Sequence, residues 1–276
     1  MVLTMFLLFA LYLVFIGVLF RTNSAVFLPL MGVFVLAQFF FSDRLALYSM
    51  GAKEVSEQEY PELHAMVSRL SQQADLPKPT VAVADSKVPN AFAAGRSQKK
   101  ATVCVTTELL RTLDRDELEG VVAHELAHVK NRDVMVMTIA SFLSTIAFMI
   151  VRMGFWFGGG RNRQGGGIIV AIVASLVVWI VSFFLIRALS RYREFAADRG
   201  GALITGQPSA LASALLKIDG RMDRVPQEDL REQSEMNAFF ILPAKGNAIT
   251  KLFSTHPATE KRVDRLRDLE RELETR

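Results

Sequence analysis

Long apolar runs without a charged residue alternate with polar stretches along this chain of 276 residues. Four runs of 18 to 21 residues lack Asp, Glu, Lys and Arg: Met1–Phe20, Thr22–Ser42, Val134–Val151 and Ile168–Ile186. Each run is close to the roughly 20 residues that a helix needs to cross the hydrocarbon core of a bilayer. The pattern therefore predicts four membrane-spanning helices, with a buried core helix as the alternative for any single run.

The first run has two interpretations, a retained membrane anchor or a cleaved signal peptide. No basic residue precedes it, and its apolar core is longer than the roughly 7–15 residues of a signal peptide. We therefore expect it to remain as an anchor. Pro29 makes the second run less regular, but a membrane helix tolerates a proline.

The polar stretches predict a second domain that is assembled from two separate parts of the chain. We expect a pair of membrane helices in 1–42, a first polar part in 43–133, a membrane hairpin in 134–190 and a second polar part in 191–276. The predicted fold is mainly α, with four transmembrane helices and an α+β domain that contains a small β-sheet.

Residues between the second and third runs predict alternating helices and strands. Pro61 fits the first turn of a helix, and Thr80–Ala84 is a short β-prone run. Two further runs, 91–95 and Thr102–Thr106, flank a polar turn and predict a β-hairpin. Pro89, just ahead of the first of them, favours an edge position for that strand.

Two long helices follow. Asp114 with Glu117 marks a helix start in the pattern of a capping box, and no proline follows before the third run ends. A single helix is therefore expected to continue from the polar domain straight into the third run. Likewise, Ile168–Arg199 contains neither glycine nor proline and predicts one helix. Shorter helices are expected at Ser209–Ile218 and Val263–Arg276.

The charges exclude one class of function and orient the chain. A net charge of +4 invites a nucleic-acid interpretation, but the basic residues form no stripe interleaved with aromatic residues. Instead, many of them flank the apolar runs on one side, among them Arg44, Lys130, Arg187 and Arg191. By the positive-inside rule, both polar parts are predicted to face the cytoplasm. The single cysteine, Cys104, allows no internal disulfide and is typical of a reducing compartment.

The strongest chemical pattern is the sequence His124-Glu125-Leu126-Ala127-His128. Histidines four apart on a helix project from one face, at the spacing at which two imidazoles bind one tetrahedral zinc ion. The glutamate between them then lies beside the metal, where it can accept a proton from the attacking water. We therefore predict His124 and His128 as zinc ligands and Glu125 as the general base.

A catalytic zinc ion needs a third protein ligand, and a carboxylate beyond the fourth run is the best candidate. His128 lies six residues before the third run, and Glu194 lies eight residues after the fourth. At about 1.5 Å per residue, both side chains emerge at nearly the same height if the two runs pair as a hairpin. We therefore predict Glu194 as the third ligand, with an ion pair to Arg191 or Arg193 as the alternative. Asp198, one turn further, is placed to accept a hydrogen bond from a ligand histidine.

Four motifs together resemble the HtpX-type integral-membrane zinc metalloproteases, which are relatives of the CAAX prenyl proteases. They are His-Glu-x-x-His at 124–128, Glu-Phe-Ala-Ala-Asp at 194–198, Pro-Asn-Ala-Phe-Ala-Ala-Gly at 89–95 and Ser-Thr-His-Pro at 254–257. Many metalloproteases share the first motif, whereas the combination is far narrower. The resemblance covers nearly the whole chain and implies a zincin-like metalloprotease domain with one Zn²⁺ per chain.

The resemblance also implies roles for residues that spacing alone does not assign. Asn90 would contact the substrate, and the residues after it would form an edge strand that pairs with an extended peptide: Ala91, Phe92, Ala93, Ala94 and Gly95. An ordinary passage from loop to strand is the alternative. His256 and Arg262 would lie near the substrate carbonyl as oxyanion donors, with a helix-start turn and a surface cation as the plainer interpretations.

By the same resemblance, the chain is expected to be a multi-pass protein of a bacterial inner membrane, with its catalytic domain facing the cytoplasm. It would cut misfolded or damaged membrane proteins in stress-related quality control. The expected partners are polypeptide substrates, the lipid bilayer and other membrane quality-control proteases, and nucleic acid is not expected.

Two alternative functions stay open at this point. One is a catalytically inactive membrane scaffold or holdase, which the intact metal motif with its glutamate disfavours. The other is a CAAX-type protease that acts near a lipidated C-terminus, which a chain with only four predicted spans disfavours.

Overall fold

The computed structural model describes residues 2–21, 27–157, 165–222 and 257–275 of the chain. Helices dominate these residues, and four short strands form the sheet that they contain. The helices are α1 Val2–Arg21, α2 Phe27–Ser49, α3 Pro61–Gln73, α4 Thr107–Thr112, α5 Arg115–Lys130, α6 Asp133–Phe157, α7 Gly165–Thr205, α8 Pro208–Met222 and α9 Thr259–Glu274. The strands are β1 Ala52–Glu54, β2 Thr80–Ala84, β3 Ala91–Ala94 and β4 Thr102–Thr106.

The chain divides into two compact units, each built from two separate parts of the sequence. Unit 1 comprises Met1–Phe40 and Val136–Ser190, and unit 2 comprises Phe41–Met135 and Arg191–Arg276. Helix α6 therefore begins in unit 2, and helix α7 ends in it.

Unit 1 contains an apolar bundle formed by α1, α6 and α7. Its buried centre includes Phe15 of α1, Ile146 of α6 and Leu189 of α7. The hydroxyl of Tyr12 donates a hydrogen bond of 2.6 Å to the carbonyl oxygen of Ala140. Large apolar side chains also cover the outside of these helices, among them Phe6, Phe9, Leu13, Val173 and Val177, each more than half exposed. An exterior with so many large apolar side chains is suited to lipid rather than to water.

All four uncharged runs are helical where the structure describes them. Among the described residues, one helical stretch, Ile172–Thr205, is long and apolar enough to cross a membrane by itself. Helices α5 and α6 would form a second candidate membrane span if the two helices, with the bend between them, were taken as one span. The mainly helical fold with a small sheet is thus confirmed, whereas the number of four spans stays a prediction.

The predicted continuous helix from the polar domain into the third run is wrong. Helix α5 ends at Lys130, and α6 begins at Asp133 after two intervening residues. Arg132 has a φ of 54°, which lies in the left-handed region where a right-handed helix cannot continue. Neither glycine nor proline marks this break, so the sequence pattern does not reveal it.

Unit 2 contains the sheet, with strand order β1-β2-β4-β3. The central strands β2 and β4 are parallel, and β1 and β3 pair antiparallel with them on the two sides. Threonine and valine recur in both central strands, where β-branched side chains pack well. Cys104 of β4 is fully buried, and burial raises the pKa of its thiol to about 12, so this residue is structural.

The predicted hairpin is confirmed by the pairing of β3 with β4. The register runs from Ala91 opposite Val105 to Ala94 opposite Thr102. Strand β3 lies at the end of the sheet order, in the edge position that the sequence predicts. Gly95 lies just beyond this strand with a φ of 136°, and a methyl group there would clash with the carbonyl oxygen of Lys100. Glycine is therefore needed to begin the turn.

The two shorter predicted helices are confirmed as α8 and α9. Helix α9 packs against α8, and it buries Val263, Leu266 and Leu269 while most of its charged residues face outward. This apolar stripe at helical spacing attaches the second part of unit 2 to its core.

A glycine sets how closely α7 approaches α5. A methyl group added to Gly201 of α7 would lie 2.8 Å from the backbone nitrogen of His124 and 2.9 Å from its Cα. Helix α7 accordingly does not stop at Arg199, as the sequence suggests, but continues through Gly200 and Gly201 to Thr205. These glycines are packing residues and not helix terminators.

We predict that Gly201→Ala destabilises the protein because its methyl group meets the backbone of α5, which cannot retreat as a side chain could. Overpacking of this kind costs about 1–3 kcal/mol, measurable as a lower thermal midpoint of the full-length chain in detergent. Gly220→Ala is the control, since nothing lies within 4 Å of the added methyl group, and it should be neutral or stabilise by about 0.4–1 kcal/mol. Equal midpoints for the two variants would contradict the close contact.

Candidate metal centre

Helix α5 carries two histidines and a glutamate into the interior of unit 2. A capping box fixes where the helix starts, because the carboxylates of Asp114 and Glu117 each accept the other residue's backbone N–H at 3.0 Å. From that start, the helical period places His124 and His128 on one face. His124 is 1% exposed and Glu125 is 5% exposed.

Helix α7 brings a carboxylate to the two imidazoles. The Nε2 atoms of His124 and His128 are 3.2 Å apart. An Oε2 atom of Glu194 lies 3.7 Å from His124 Nε2, and its Oε1 atom lies 3.5 Å from His128 Nε2. One ligand atom from each residue falls within 4.8 Å of the others. Two imidazole nitrogens and a carboxylate, with a fourth position left for water, are the donors of a catalytic zinc site, so these residues fit that ion.

The other ring nitrogen of each histidine faces a buried carboxylate. His124 Nδ1 lies 3.0 Å from Asp198 Oδ1, and His128 Nδ1 lies 2.5 Å from Asp133 Oδ2. An acceptor at Nδ1 favours the tautomer that carries its proton there, which leaves Nε2 free to bind a metal. Both histidines therefore present the same nitrogen to Glu194.

Each of these aspartates also faces an arginine. Arg262 of α9 donates two hydrogen bonds to Asp198, from Nε at 2.8 Å and from Nη2 at 2.6 Å. Arg193 Nε lies 3.1 Å from Asp133 Oδ1. Burial by itself raises the pKa of Asp198, but Arg262 and His124 outweigh that effect, and the pKa lies below its ordinary value.

The structure places Arg262 beside Glu194 and Asp198. Its side chain is fully buried and bidentate on Asp198, with Nη1 3.6 Å from Glu194 Oε2. The buried side chain is therefore not a surface cation. The geometry favours a role in holding Asp198.

Glu125 connects the metal-ligand cluster to the sheet. Its Oε2 atom accepts a 2.9 Å hydrogen bond from the backbone N–H of Ala93 in β3. Because the two main-chain groups of one residue in an antiparallel strand point to the same side, Ala93 directs both of them away from β4. Burial, opposed by His124 and His128, raises the pKa of Glu125.

The remaining predicted site residues lie at or beyond this edge. Asn90 precedes β3 and is 1% exposed. Its backbone N–H donates to the hydroxyl oxygen of Thr106, and its carbonyl oxygen accepts from the Thr106 N–H, each at 2.9 Å. Ala91, Phe92, Ala93 and Ala94 form the edge strand, and Gly95 follows it. His256 lies outside the described residues.

Two residues of the cluster escape sequence reasoning. Asp133 and Arg193 follow no recognised motif, and the contact of Asp133 with His128 depends on the unexpected break between α5 and α6. The sequence does contain one signal, because Asp133 directly precedes the third uncharged run. An acidic side chain at that position needs a polar partner.

We predict that Arg262→Met lowers the free energy of unfolding by about 3–5 kcal/mol, because it leaves Asp198 as an uncompensated buried charge. Arg267→Met, an exposed position on the same helix, should stay within about 0.5 kcal/mol of the wild type. Thermal and denaturant unfolding of the full-length chain measure both. Comparable losses in the two variants would show that Arg262 is not part of a buried ion pair.

Known proteins are similar to this chain along nearly its whole length. Protease HtpX homolog 2 of Methanosarcina mazei is 57% identical over 279 residues, which cover 99% of this chain and 95% of that protein. The protease HtpX homolog of Moorella thermoacetica is 57% identical over 288 residues, which cover 100% of this chain and 95% of the relative.

A solved structure shares the fold. The crystal structure of S. mikatae Ste24p matches with a TM-score of 0.58 at 18% identity, over 93% of this chain. This chain spans 62% of the length of that protein.

Residues 57–270 match the family described as Peptidase family M48, a range that includes all the predicted ligands. The metalloproteases of this family depend on zinc, in agreement with the donors that α5 and α7 bring together. The chain therefore belongs to Peptidase family M48 and is a zinc metalloendopeptidase.

Proposed function

We propose that this metalloendopeptidase hydrolyses peptide bonds of misfolded or damaged membrane proteins, and of unfolded proteins, at the cytoplasmic face of a cell membrane. The observation that carries the proposal is the convergence of two imidazoles and a carboxylate beside Glu125. That cluster lies in a unit whose helices α6 and α7 continue into an apolar bundle. A peptide-cutting site attached to lipid-facing helices suits substrates that are themselves held at a membrane.

His124, His128 and Glu194 would hold the metal ion through two imidazole nitrogens and one carboxylate oxygen. When bound, zinc lowers the pKa of water to about 7 and polarises the carbonyl group of the bond that is cut. The ion pairs behind the ligands keep the donors in place before the ion arrives, so little ordering is needed on binding.

Glu125 serves as general base and then as general acid in this proposal. It takes a proton from the attacking water as the water oxygen bonds to the carbonyl carbon. It then gives that proton to the leaving nitrogen as the carbon–nitrogen bond breaks. Burial raises the pKa of Glu125, which makes its carboxylate a better proton acceptor near neutral pH.

The edge of the sheet is the proposed binding site for the substrate backbone. Ala93 directs its main-chain groups to the outer side of β3, on the side of Glu125. Because the Ala93 N–H already donates to Glu125, an extended peptide added along β3 would pair with other outward main-chain groups of the strand, among them the Ala93 carbonyl oxygen. Main-chain hydrogen bonds do not depend on the peptide's sequence. Binding of this kind suits an enzyme that accepts many damaged proteins. It also brings the peptide backbone beside the general base.

Supporting residues have separate roles in the proposal. Asp198 orients the ring of His124, and Arg262 holds Asp198 in place through its bidentate contact. Arg262 is thus proposed as a positioning residue and not as an oxyanion donor. His256 remains the candidate oxyanion donor, and Asn90 remains a candidate for substrate contact where β3 begins.

We also propose that α1, α2, α6 and α7 span the membrane, with unit 2 in the cytoplasm. The apolar exterior of unit 1 and the basic residues that flank the uncharged runs support this orientation. Other quality-control proteases of the same membrane are the proposed partners.

We predict that Glu125→Gln abolishes cleavage of unfolded casein while zinc stays bound, because the amide is isosteric but cannot take the proton. Casein cleavage and zinc content of the purified full-length chain measure the two effects. Asp116→Asn, an exposed acid on the same helix, is the matched control and should keep full activity. Cleavage by Glu125→Gln at the wild-type rate would refute the assignment of the base. A zinc chelator should stop cleavage by the wild type, and added zinc should restore it.

The topology is tested by labelling single cysteines with a membrane-impermeant maleimide in intact cells, on the natural background in which Cys104 is buried. Ser97→Cys lies in unit 2, and Asn162→Cys lies between the third and fourth uncharged runs. The proposal predicts labelling of Asn162→Cys in intact cells and of Ser97→Cys only after the membrane is permeabilised. Labelling of both from the same side would contradict the crossing of α6 and α7.

A further inference from the structure

Behind the predicted ligands lie two series of side chains in contact, each made of a histidine, an aspartate and an arginine. His124 faces Asp198, which faces Arg262, and His128 faces Asp133, which faces Arg193. All three residues of the first series already have roles in the proposed function. In the second series only His128 has a role so far, although Asp133 is 4% exposed and therefore as buried as Asp198 at 3%.

The break between α5 and α6 is what brings Asp133 to His128. If α5 continued as a regular helix, residue 133 would lie about 140° around the axis from residue 128, at 100° per residue. The left-handed φ of Arg132 interrupts that course, and Asp133 then begins α6 with its carboxylate 2.5 Å from His128 Nδ1. The left-handed conformation of Arg132, which is uncommon for a residue other than glycine, thus places the Asp133 carboxylate against the ligand His128.

Arg193 gives the buried aspartate a second partner. Its Nε lies 3.1 Å from Asp133 Oδ1, and its neighbour along α7 is the ligand Glu194. A carboxylate with only a neutral imidazole for a partner would be poorly compensated in the interior. Arg193 supplies the positive charge that balances Asp133, and it lies in the same helical turn as the third ligand.

We propose that Asp133 is the positioning residue of His128. Its carboxylate accepts the Nδ1–H of the ring, fixes the tautomer that offers Nε2 to the metal, and is itself held by Arg193. The inference rests on the proposed metal site, and it adds that the first residue of α6 is required for tight metal binding.

The test measures zinc affinity of the full-length chain in detergent by competition with a chromophoric chelator of known affinity. Removing a carboxylate behind a ligand histidine typically weakens metal binding by about 10–100-fold, so Asp133→Ala is expected to show a loss of that size. Asp133→Asn should show a smaller loss, since its amide oxygen can still accept the Nδ1–H. Loading with Co²⁺ adds a second readout, because a changed ligand geometry shifts the visible absorption bands of the bound cobalt.

Glu108→Gln is the matched control for loss of a buried negative charge. Glu108 is 8% exposed and accepts a hydrogen bond of 2.7 Å from Arg221 Nε, outside the ligand cluster. This variant is expected to lower the thermal midpoint while zinc affinity and the Co²⁺ spectrum stay as in the wild type. Wild-type affinity and spectrum in Asp133→Ala would overturn the inference, as would a loss of zinc affinity in Glu108→Gln equal to that in Asp133→Ala. A wild type that binds no zinc would instead overturn the proposed function.

Discussion

The close contact between α5 and the end of α7 is the constraint on which the rest of the site depends. Gly201 lets the backbone of α7 reach the backbone of α5 at His124, and the helical period then carries Asp198 and Glu194 along the same face at intervals of three and four residues. A single close contact between the two helices therefore places two carboxylates beside the two histidines. A larger residue at that position would move the ligand and its neighbouring aspartate together.

The charges of the cluster account for its need of a cation. Among the described residues, four buried carboxylates belong to it, from Glu125, Asp133, Glu194 and Asp198, and two arginines oppose them. When all are ionised, two negative charges are left over in an interior that tolerates unbalanced charge poorly. A divalent ion removes that excess, so binding of zinc and folding of this region should support each other.

Local patterns in the sequence predict a large part of this arrangement. The spacing of the histidines, the capping box ahead of them and the β-prone runs around a polar turn are short-range features, and the structure confirms the helix and the hairpin that they predict. The lengths of two apolar runs predict the proximity of Glu194, although the helix before the third run is interrupted. The position of Asp133 could not be predicted, because it follows from a helix break without glycine or proline. Nor could the burial of Arg262, whose partner Asp198 is 64 residues away, or the packing role of the glycines, which resemble a helix end when read alone.

The central claim is that His124, His128 and Glu194 hold one metal ion, and the zinc content of the purified full-length chain tests it most directly. After brief exposure to a mild chelator, the wild type and the exposed control Glu274→Ala should each keep one zinc ion per chain, whereas Glu194→Ala should keep far less. A zinc-free wild type, or full retention by Glu194→Ala, would contradict the account.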